Sequence, residues 1–322
     1  MPVIRNSTYK PPALLKNKHL QTIYPFLFRK VKGISYQRER IETKDGDFLD
    51  LDWTQGPESD RLVVVLHGLE SSSEAGYVMG MIKAFQRRGW AGLAVNYRGC
   101  SGEPNRLLRS YHSGETDDVR TILSHVLEKD RYKEIALVGF SLGGNILLKY
   151  LGEQATRLPK EFQGAVAIST PCDLHKAAFH LSKTSNQIYL RRFLKSLKKK
   201  AQEKEGLAPE TLSLQAIHQA RDFVTFDNLF TAPVHGFESA IDYWTKCSSK
   251  QYCPSIQLPT LLINAQDDPF LPRECFPLEE AEKSKHFHLE VPRYGGHVGF
   301  VTYNDEGEYW NETRTLDFIL SA

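Results

Sequence analysis

The sequence lacks the cysteine patterns that mark disulfide-stabilised and zinc-binding proteins. Its five cysteines are odd in number and scattered along 322 residues, and no two of them form a C-x-x-C pair. Neither a disulfide framework nor a zinc knuckle is therefore indicated, and we expect a reducing cytoplasmic location. The cysteines are Cys100, Cys172, Cys247, Cys253 and Cys275.

Long hydrophobic runs are also absent. Residues 1–6 lack the apolar core of a signal peptide. No apolar run approaches the roughly 20 residues that a membrane-spanning helix needs. We therefore expect a soluble protein that touches a membrane at most weakly and peripherally.

The chain carries no large excess of charge of one sign. Forty-one Lys and Arg residues stand against 39 Asp and Glu residues, which gives a net charge of +2. This balance offers no electrostatic argument for nucleic-acid binding. A hydrophobic share of 41% can supply a substantial core, and the length suits one large α/β domain, with or without an inserted subdomain, or two ordinary domains.

What the sequence does contain is a regular alternation of short β-branched runs with longer helical patterns. This alternation predicts an α/β fold with a mostly parallel, twisted sheet and helices on both faces. Residues 34–43 and 48–53 alternate polar and apolar around Lys44-Asp45-Gly46, which predicts an opening antiparallel hairpin. The further predicted strands are 62–66, 90–95, 135–138, 165–168, 260–264 and 287–291, and the predicted helices between and after them are 77–88, 115–129, 142–152 and 308–320.

One interval, residues 172–258, has helical periodicity and no strand pattern. Its residues Leu190, Leu194, Leu197 and Ala201 fall at i, i+4, i+7 and i+11, on one face of a helix. An insertion of this kind usually lies over the carboxyl edge of the sheet, where ligands bind. We therefore predict a helical cap at 172–258 (the cap segment), a core at 34–171 and 259–322, and an N-terminal extension at 1–33 packed on that core.

The pentapeptide Gly139 to Gly143 reads G-x-S-x-G and stands between a predicted strand and a predicted helix. A sharp strand-to-helix turn exposes the serine hydroxyl to a base and directs the following amide toward a developing oxyanion. Glycine at each end removes Cβ atoms that would collide in such a turn. Ser141 is therefore the candidate nucleophile.

A carboxylate to orient the base is expected just beyond a late strand, and two aspartates compete for this role. Both Asp267 and Asp268 follow the predicted strand 260–264. Asp268 is favoured because it directly precedes Pro-Phe-Leu-Pro, the loop that leads into the next helix. Asp267 is interpreted as a loop or capping residue, with a functional second carboxylate as the alternative.

The candidate base is His297, which follows Gly295-Gly296 after the last predicted strand. The order Ser, Asp, His after three separate strands suits acyl transfer by serine. The remaining requirement is an oxyanion hole. His67-Gly68-Leu69 ends the first parallel strand, so we assign the donors to the backbone N–H groups of Leu69 and Leu142 and interpret His67 as a brace for the loop.

Five segments in this order resemble the α/β-hydrolase superfamily, and more narrowly its YheT-like branch, a group of hydrolases related to eukaryotic α/β-hydrolase-domain lipid esterases. The resemblance implies an α/β-hydrolase fold and a carboxylic-ester hydrolase with a Ser141–Asp268–His297 triad. The segments are 17–22 (NKHLQT), 96–102 (NYRGCSG), 111–114 (YHSG), 139–145 (GFSLGGN) and 264–270 (NAQDDPF).

The expected function is hydrolysis of a small-molecule or lipid ester through an acyl-enzyme, with no metal, nucleotide or redox cofactor. An acyltransferase and a non-catalytic binding scaffold on the same fold are the alternatives. A basic run between Arg191 and Lys204 lies on a predicted cap helix, and residues 19–28 are aromatic and amphipathic. A solvated or packed surface is the favoured interpretation of both. The alternative for the basic run is attraction to anionic lipid headgroups or to an anionic leaving group, and for residues 19–28 it is contact with a membrane.

Overall fold

The computed structural model describes residues 2–56, 58–208 and 212–321. Small parts of the predicted N-terminal extension, core and cap segment therefore lie outside the described residues, namely residues 1, 57, 209–211 and 322. Within these ranges a single sheet has nine strands in the order β1-β9-β8-β7-β6-β4-β5-β3-β2. The strands are β1 (Val3–Ile4), β2 (Tyr36–Glu42), β3 (Phe48–Thr54), β4 (Arg61–Leu66), β5 (Ala91–Asn96), β6 (Glu134–Phe140), β7 (Phe162–Ile168), β8 (Thr260–Ile263) and β9 (Phe287–Glu290).

Strand directions confirm a mostly parallel sheet that opens with a hairpin. Strand β3 runs antiparallel to both of its neighbours, β2 and β5. All other neighbouring strands pair in parallel. The parallel strands therefore end at one common edge of the sheet, where the loops that follow them meet.

Helices cover both faces of the sheet. Helices α2 (Gly76–Gln86) and α12 (Trp310–Ser321) pack on one face, and α3 (Thr116–Glu128), α4 (Leu142–Gln154) and α11 (Leu278–Lys283) pack on the other. The sequence of β4 is apolar without alternation because both faces of this strand are buried. Leu62, Val64 and Leu66 pack in the core on one face of the sheet, and Val63 and Val65 pack in the core on the other face.

The N-terminal residues add a strand to the sheet, whereas the sequence predicts only an extension packed on the core. Strand β1 pairs in parallel with β9 through Val3 and Ile4. Farther along, Tyr9 packs against the rings of Phe300 and Trp310, which also contact each other. A strand of two residues is too short to show alternation, so the pattern of the sequence could not reveal it. Helix α1 (Lys18–Phe28) follows this segment.

The cap segment consists of helices joined by short loops and has no strand in its described part. Its helices pack on one another and on Phe270 and Leu271, which follow β8. This contact lies at the carboxyl ends of the parallel strands. Its helices are α5 (Leu174–Leu181), α6 (Gln187–Glu203), α7 (Leu214–Gln219), α8 (Phe223–Phe226), α9 (Ala232–His235) and α10 (Ala240–Cys247), with a π-helical turn (Asp227–Thr231) joining α8 to α9.

No helix in the described part of the chain has both the length and the apolar composition that crossing a bilayer requires. All five cysteines are buried and form no disulfide.

Candidate active site

Ser141 lies on the turn between β6 and α4 with a left-handed backbone, at φ 52° and ψ −117°. This conformation is rare for a residue with a side chain, so the surroundings must hold it in place. A Cβ atom on Gly139 would lie 2.5 Å from the carbonyl oxygen of Gly143, and one on Gly143 would lie 2.5 Å from the carbonyl oxygen of His67. The turn thus requires glycine at both of the positions that flank the serine.

The structure brings Ser141, His297 and Asp268 together. The Ser141 Oγ and His297 Nε2 atoms are 2.9 Å apart, and the His297 Nδ1 and Asp268 Oδ2 atoms are also 2.9 Å apart. With the proton on Nδ1, the ring donates to the carboxylate and accepts from the hydroxyl. The second oxygen of Asp268 accepts from the N–H of Phe270 at 2.8 Å, so the buried carboxylate is held on both sides.

Asp267 points elsewhere. Its Oδ1 accepts a hydrogen bond from the N–H of Gly296 at 3.0 Å, next to His297. Among the described residues its buried Oδ2 has no hydrogen-bond partner. Burial, together with the neighbouring charge of Asp268, raises the pKa of the Asp267 carboxyl to about 6. Asp267 therefore anchors the loop that carries the histidine and does not contact its ring nitrogen.

The loop after β4 lies against the nucleophile. A Cβ atom on Gly68 would lie 3.2 Å from the Cβ of Ser141, and the Gly68 N–H donates to the Tyr77 hydroxyl at 2.9 Å. The N–H groups of Leu69 and Leu142 donate to no acceptor among the described residues. Leu142 is the first residue of α4, where backbone N–H groups have no partner within the helix and attract negative charge.

His67 braces this loop. Its ring is fully buried, with Nδ1 2.7 Å from the carbonyl oxygen of Gly68 and Nε2 3.4 Å from the backbone nitrogen of Tyr97. Burial lowers the pKa of the His67 imidazole to about 3, so the ring is neutral. A neutral ring that donates from Nδ1 and accepts at Nε2 satisfies both contacts.

Three further residues hold the histidine, and none of them is predicted from the sequence. Thr22 Oγ1 accepts from the His297 N–H at 2.9 Å, and Ser169 Oγ accepts from the Val298 N–H at 2.9 Å. The Phe270 ring lies 4.0 Å from the imidazole, centroid to centroid. Thr22 and Phe270 belong to the segments that carry the family resemblance, and this was the only sequence signal for them.

Two cavities meet at Ser141 and His297. The first, which we call the cap cavity, encloses about 830 Å³, including open solvent at its mouth, and has mostly apolar walls. The second, the front cavity, encloses about 1300 Å³ on the same basis and lies between α1, α6 and the loop after β4. Side chains of the cap cavity include Leu174, Ala177, Leu181, Phe223, Phe226 and Trp244.

Asp227 is a buried carboxyl in the wall of the cap cavity. It accepts from the Thr231 hydroxyl at 2.6 Å and from the Trp244 indole N–H at 2.9 Å. Burial raises the pKa of this carboxyl to about 6.

One cluster in the described part of the chain has metal-ligand chemistry: donor atoms of His112, Glu115 and His235 lie within 4.8 Å of one another. The Glu115 carboxylate is already paired with the Arg109 guanidinium at 2.8 Å. Burial lowers the pKa of His112 to about 3 and that of His235 to about 2. The expected absence of a metal stays a prediction.

Comparisons with known proteins show which family the chain resembles. A family model described as "alpha/beta hydrolase fold" matches residues 61–302. A protein of Escherichia coli (strain K12) named "Putative esterase YheT" is 37% identical over 320 residues, which cover 98% of this chain and 93% of that protein. A mouse protein named "Phospholipase ABHD3" is 28% identical, with 93% of this chain and 74% of that protein covered.

Solved structures give the same fold. An esterase of Pyrococcus furiosus aligns with a TM-score of 0.61 at 21% identity, covering 98% of both chains. Because the family model covers most of the sequence and the Escherichia coli relative matches almost the whole chain, this chain belongs to the α/β-hydrolase family, in the branch that contains YheT.

Proposed function

We propose that this protein is a serine carboxylic-ester hydrolase that acts through an acyl-enzyme. The observation that carries the proposal is the pair of hydrogen bonds that links Ser141 to His297 and His297 to Asp268, each at 2.9 Å. Nucleophile, base and orienting carboxylate are therefore within the distances that serine-mediated acyl transfer needs.

In the first half-reaction, Ser141 Oγ attacks the ester carbonyl carbon as His297 Nε2 takes the hydroxyl proton. Asp268 keeps the ring oriented and stabilises the imidazolium that forms. The imidazolium then gives the proton to the departing alcohol oxygen, which leaves the acyl group on Ser141. Water, deprotonated by the same nitrogen, releases the acid in the second half-reaction.

The negative oxygen of each tetrahedral intermediate would lie between the N–H groups of Leu69 and Leu142. Their lack of protein acceptors among the described residues supports this role, because such donors are free for a substrate. Each donor of this kind contributes about 3 kcal/mol of transition-state stabilisation. The left-handed backbone of Ser141 supports the same arrangement, because a sharp strand-to-helix turn exposes the serine beside the following amide.

The apolar walls of the cap cavity support an ester with a hydrophobic acyl chain. The mouse relative is named a phospholipase, which favours a lipid ester over a small polar one. In this proposal the cap segment forms the acyl pocket, the N-terminal extension supports the loop of His297 through Thr22, and the core supplies the reacting groups.

Labelling with a fluorophosphonate tests the proposal. This probe reacts with an activated serine, so the folded protein should be labelled at Ser141 and nowhere else, and Ser141→Ala should abolish labelling. Ser113→Ala is the matched control, because Ser113 lines the same cavity. Loss of labelling only with Ser113→Ala, or no labelling of the folded protein, would overturn the proposal.

A further inference from the structure

The charges of the chain are distributed very unevenly. Residues 1–38 and 174–202 each contain eight Lys or Arg residues and no Asp or Glu. The rest of the chain has 25 basic and 39 acidic residues. The net charge of +2 is therefore the sum of two strongly basic segments and an acidic remainder. A charge asymmetry of this kind points to an anionic partner at the basic segments.

The two basic segments meet beside the active site. His19 of α1 contacts the Tyr189 hydroxyl of α6 through Nδ1 at 3.0 Å, and their rings stack. Farther along the helices, the Arg192 guanidinium lies 3.8 Å from the centroid of the Phe26 ring. Both Phe26 and Arg192 line the front cavity, which also reaches Ser141. The seam between α1 and α6 therefore borders an opening to the nucleophile.

Large apolar side chains of α1 and α6 face solvent. Leu20 and Leu27 are seven residues apart, so they lie on one face of α1, and they are 52% and 56% exposed. On α6, Ile188 is 68% exposed and shares a face with Arg191 and Lys195 at i+3 and i+7. Single exposed apolar residues need no explanation, but a group of them beside basic residues marks an interaction surface. The remaining exposed apolar residues of α1 are Phe26 and Phe28.

Arg192 adds a cation without a counter-ion. It is exposed, lines the front cavity and forms no ion pair among the described residues. Arg29, in the same cavity, is by contrast paired with the buried Glu312 at 2.5 Å. An unpaired guanidinium at the mouth of a cavity can bind a phosphate or carboxylate through two parallel N–H donors.

We propose that the exposed residues of α1 and α6 form a docking face for a bilayer that contains anionic lipid. Basic side chains would contact lipid headgroups, while exposed Leu, Phe and Ile side chains would enter the boundary with the acyl chains. A nucleic acid or an acidic protein would satisfy the charges alone, and the aliphatic residues favour the bilayer. The docking face comprises Leu20, Phe26, Leu27, Phe28, Ile188, Arg191, Arg192 and Lys195.

Docking would place the front cavity against the lipid surface, so an ester could pass from the bilayer toward Ser141 without crossing water. This consequence rests on the proposed esterase function, whereas the docking itself does not. Arg192 would then contact the anionic group of the lipid at the mouth of the cavity.

Vesicle sedimentation of the full chain tests the docking face, with Ser141→Ala as the background so that no lipid is consumed. Vesicles of phosphatidylcholine mixed with phosphatidylglycerol should bind the protein, and vesicles of phosphatidylcholine alone should bind it far less. Raising the salt concentration should weaken binding. The pairs Leu20→Ser/Leu27→Ser and Arg191→Gln/Lys195→Gln should each lower the partition coefficient roughly tenfold or more.

Matched controls use residues outside the two helices. Leu320→Ser removes an exposed leucine of α12, and Lys133→Gln/Lys283→Gln removes two exposed lysines. These variants should bind vesicles as the background does. In wild-type background, thermal unfolding and fluorophosphonate labelling of each docking variant should stay unchanged, which separates lost docking from lost folding and from failure of the proposed function.

Equal binding to both kinds of vesicle, no binding, or equal loss in the controls would overturn the proposal. Binding to soluble heparin that survives Leu20→Ser/Leu27→Ser, together with absent vesicle binding, would instead assign the basic face to an acidic macromolecule.

Discussion

The loops at the carboxyl edge of the sheet and the cap segment above them position their side chains by different means. In the loops, Asp268 and His297 are each fixed by hydrogen bonds at both ends. The cap cavity instead has aliphatic and aromatic walls, with Asp227 as a buried carboxyl. Directional bonds fix positions to fractions of an ångström, whereas apolar contacts fix volume and shape. Changes in the loops should therefore alter the rate of the chemical step, and changes in the cap should alter the choice of substrate.

The largest expected effect separates the two adjacent aspartates. Asp268→Asn should lower kcat by about 10⁴-fold, because an amide can hold the ring in the wrong tautomer and cannot stabilise the imidazolium. Asp267→Asn keeps an acceptor for the Gly296 N–H and should lower kcat less than about tenfold. Steady-state kinetics with a soluble short-chain ester measures both.

The opposite ranking of these two variants would reassign the orienting carboxylate to Asp267. It would also show that the hydrogen bond to His297 Nδ1 does not decide the rate.

A smaller loss is expected when the loop after β4 loses its hydrogen bond to Tyr77. Tyr77→Phe removes the hydroxyl that accepts from the Gly68 N–H at 2.9 Å, so Leu69 next to it should lose its fixed position. We expect kcat to fall between about tenfold and 100-fold with little change in KM, because the contact matters in the transition state.

Tyr36→Phe is the control for this change, since its hydroxyl donates to the Ser73 carbonyl oxygen away from the nucleophile. A rise in KM at constant kcat for Tyr77→Phe would show that the loop binds substrate and does not stabilise the oxyanion.

The difference between loops and cap also explains what the sequence could predict. Ser141, Asp268 and His297 each follow a strand, and turn residues stand beside them, so short-range patterns could single out all three as candidates. The hydrogen bond from His297 to Thr22 joins residues 275 positions apart. Hydrophobic periodicity carries information only about residues within a few turns of each other along the chain. It therefore could not predict that Thr22 lies beside His297.

The cap segment shows the same limit. Helix α6 could be expected from the spacing of Leu190, Leu194, Leu197 and Ala201, all of which pack on the interior of the cap segment. The arrangement of the helices depends on how their side chains pack against one another. The cap cavity is the space that this packing leaves open, so a pattern along the sequence does not define it. The short strand β1 was missed because two residues carry no period.

A substitution in the wall of the cap cavity should change the substrate specificity. Ala177 of α5 is buried in the wall of the cap cavity. Ala177→Leu should shorten the space for an acyl chain and lower kcat/KM for long-chain esters about tenfold relative to short-chain ones. A series of p-nitrophenyl esters of increasing chain length measures the ratio.

Lys176→Leu is the matched control, because it adds the same side chain at the neighbouring, exposed position of α5. An equal loss for short and long esters in Ala177→Leu would mean that the cap contributes to the chemical step, which would remove the division between the two regions.

The smallest expected effect concerns stability and comes from Asp227, the buried carboxyl in the wall of the cap cavity. Burial raises its pKa to about 6, so the folded state binds a proton more tightly than the unfolded state. Its contribution to stability is therefore greatest at low pH and is lost as pH rises through about 6. Between pH 5 and pH 7 the free energy of unfolding should fall by about 1 kcal/mol more in the wild type than in Asp227→Asn. Urea unfolding of both proteins at the two pH values measures this difference, and an equal change in both would show that the aromatic and aliphatic walls of the cap do not desolvate this carboxyl.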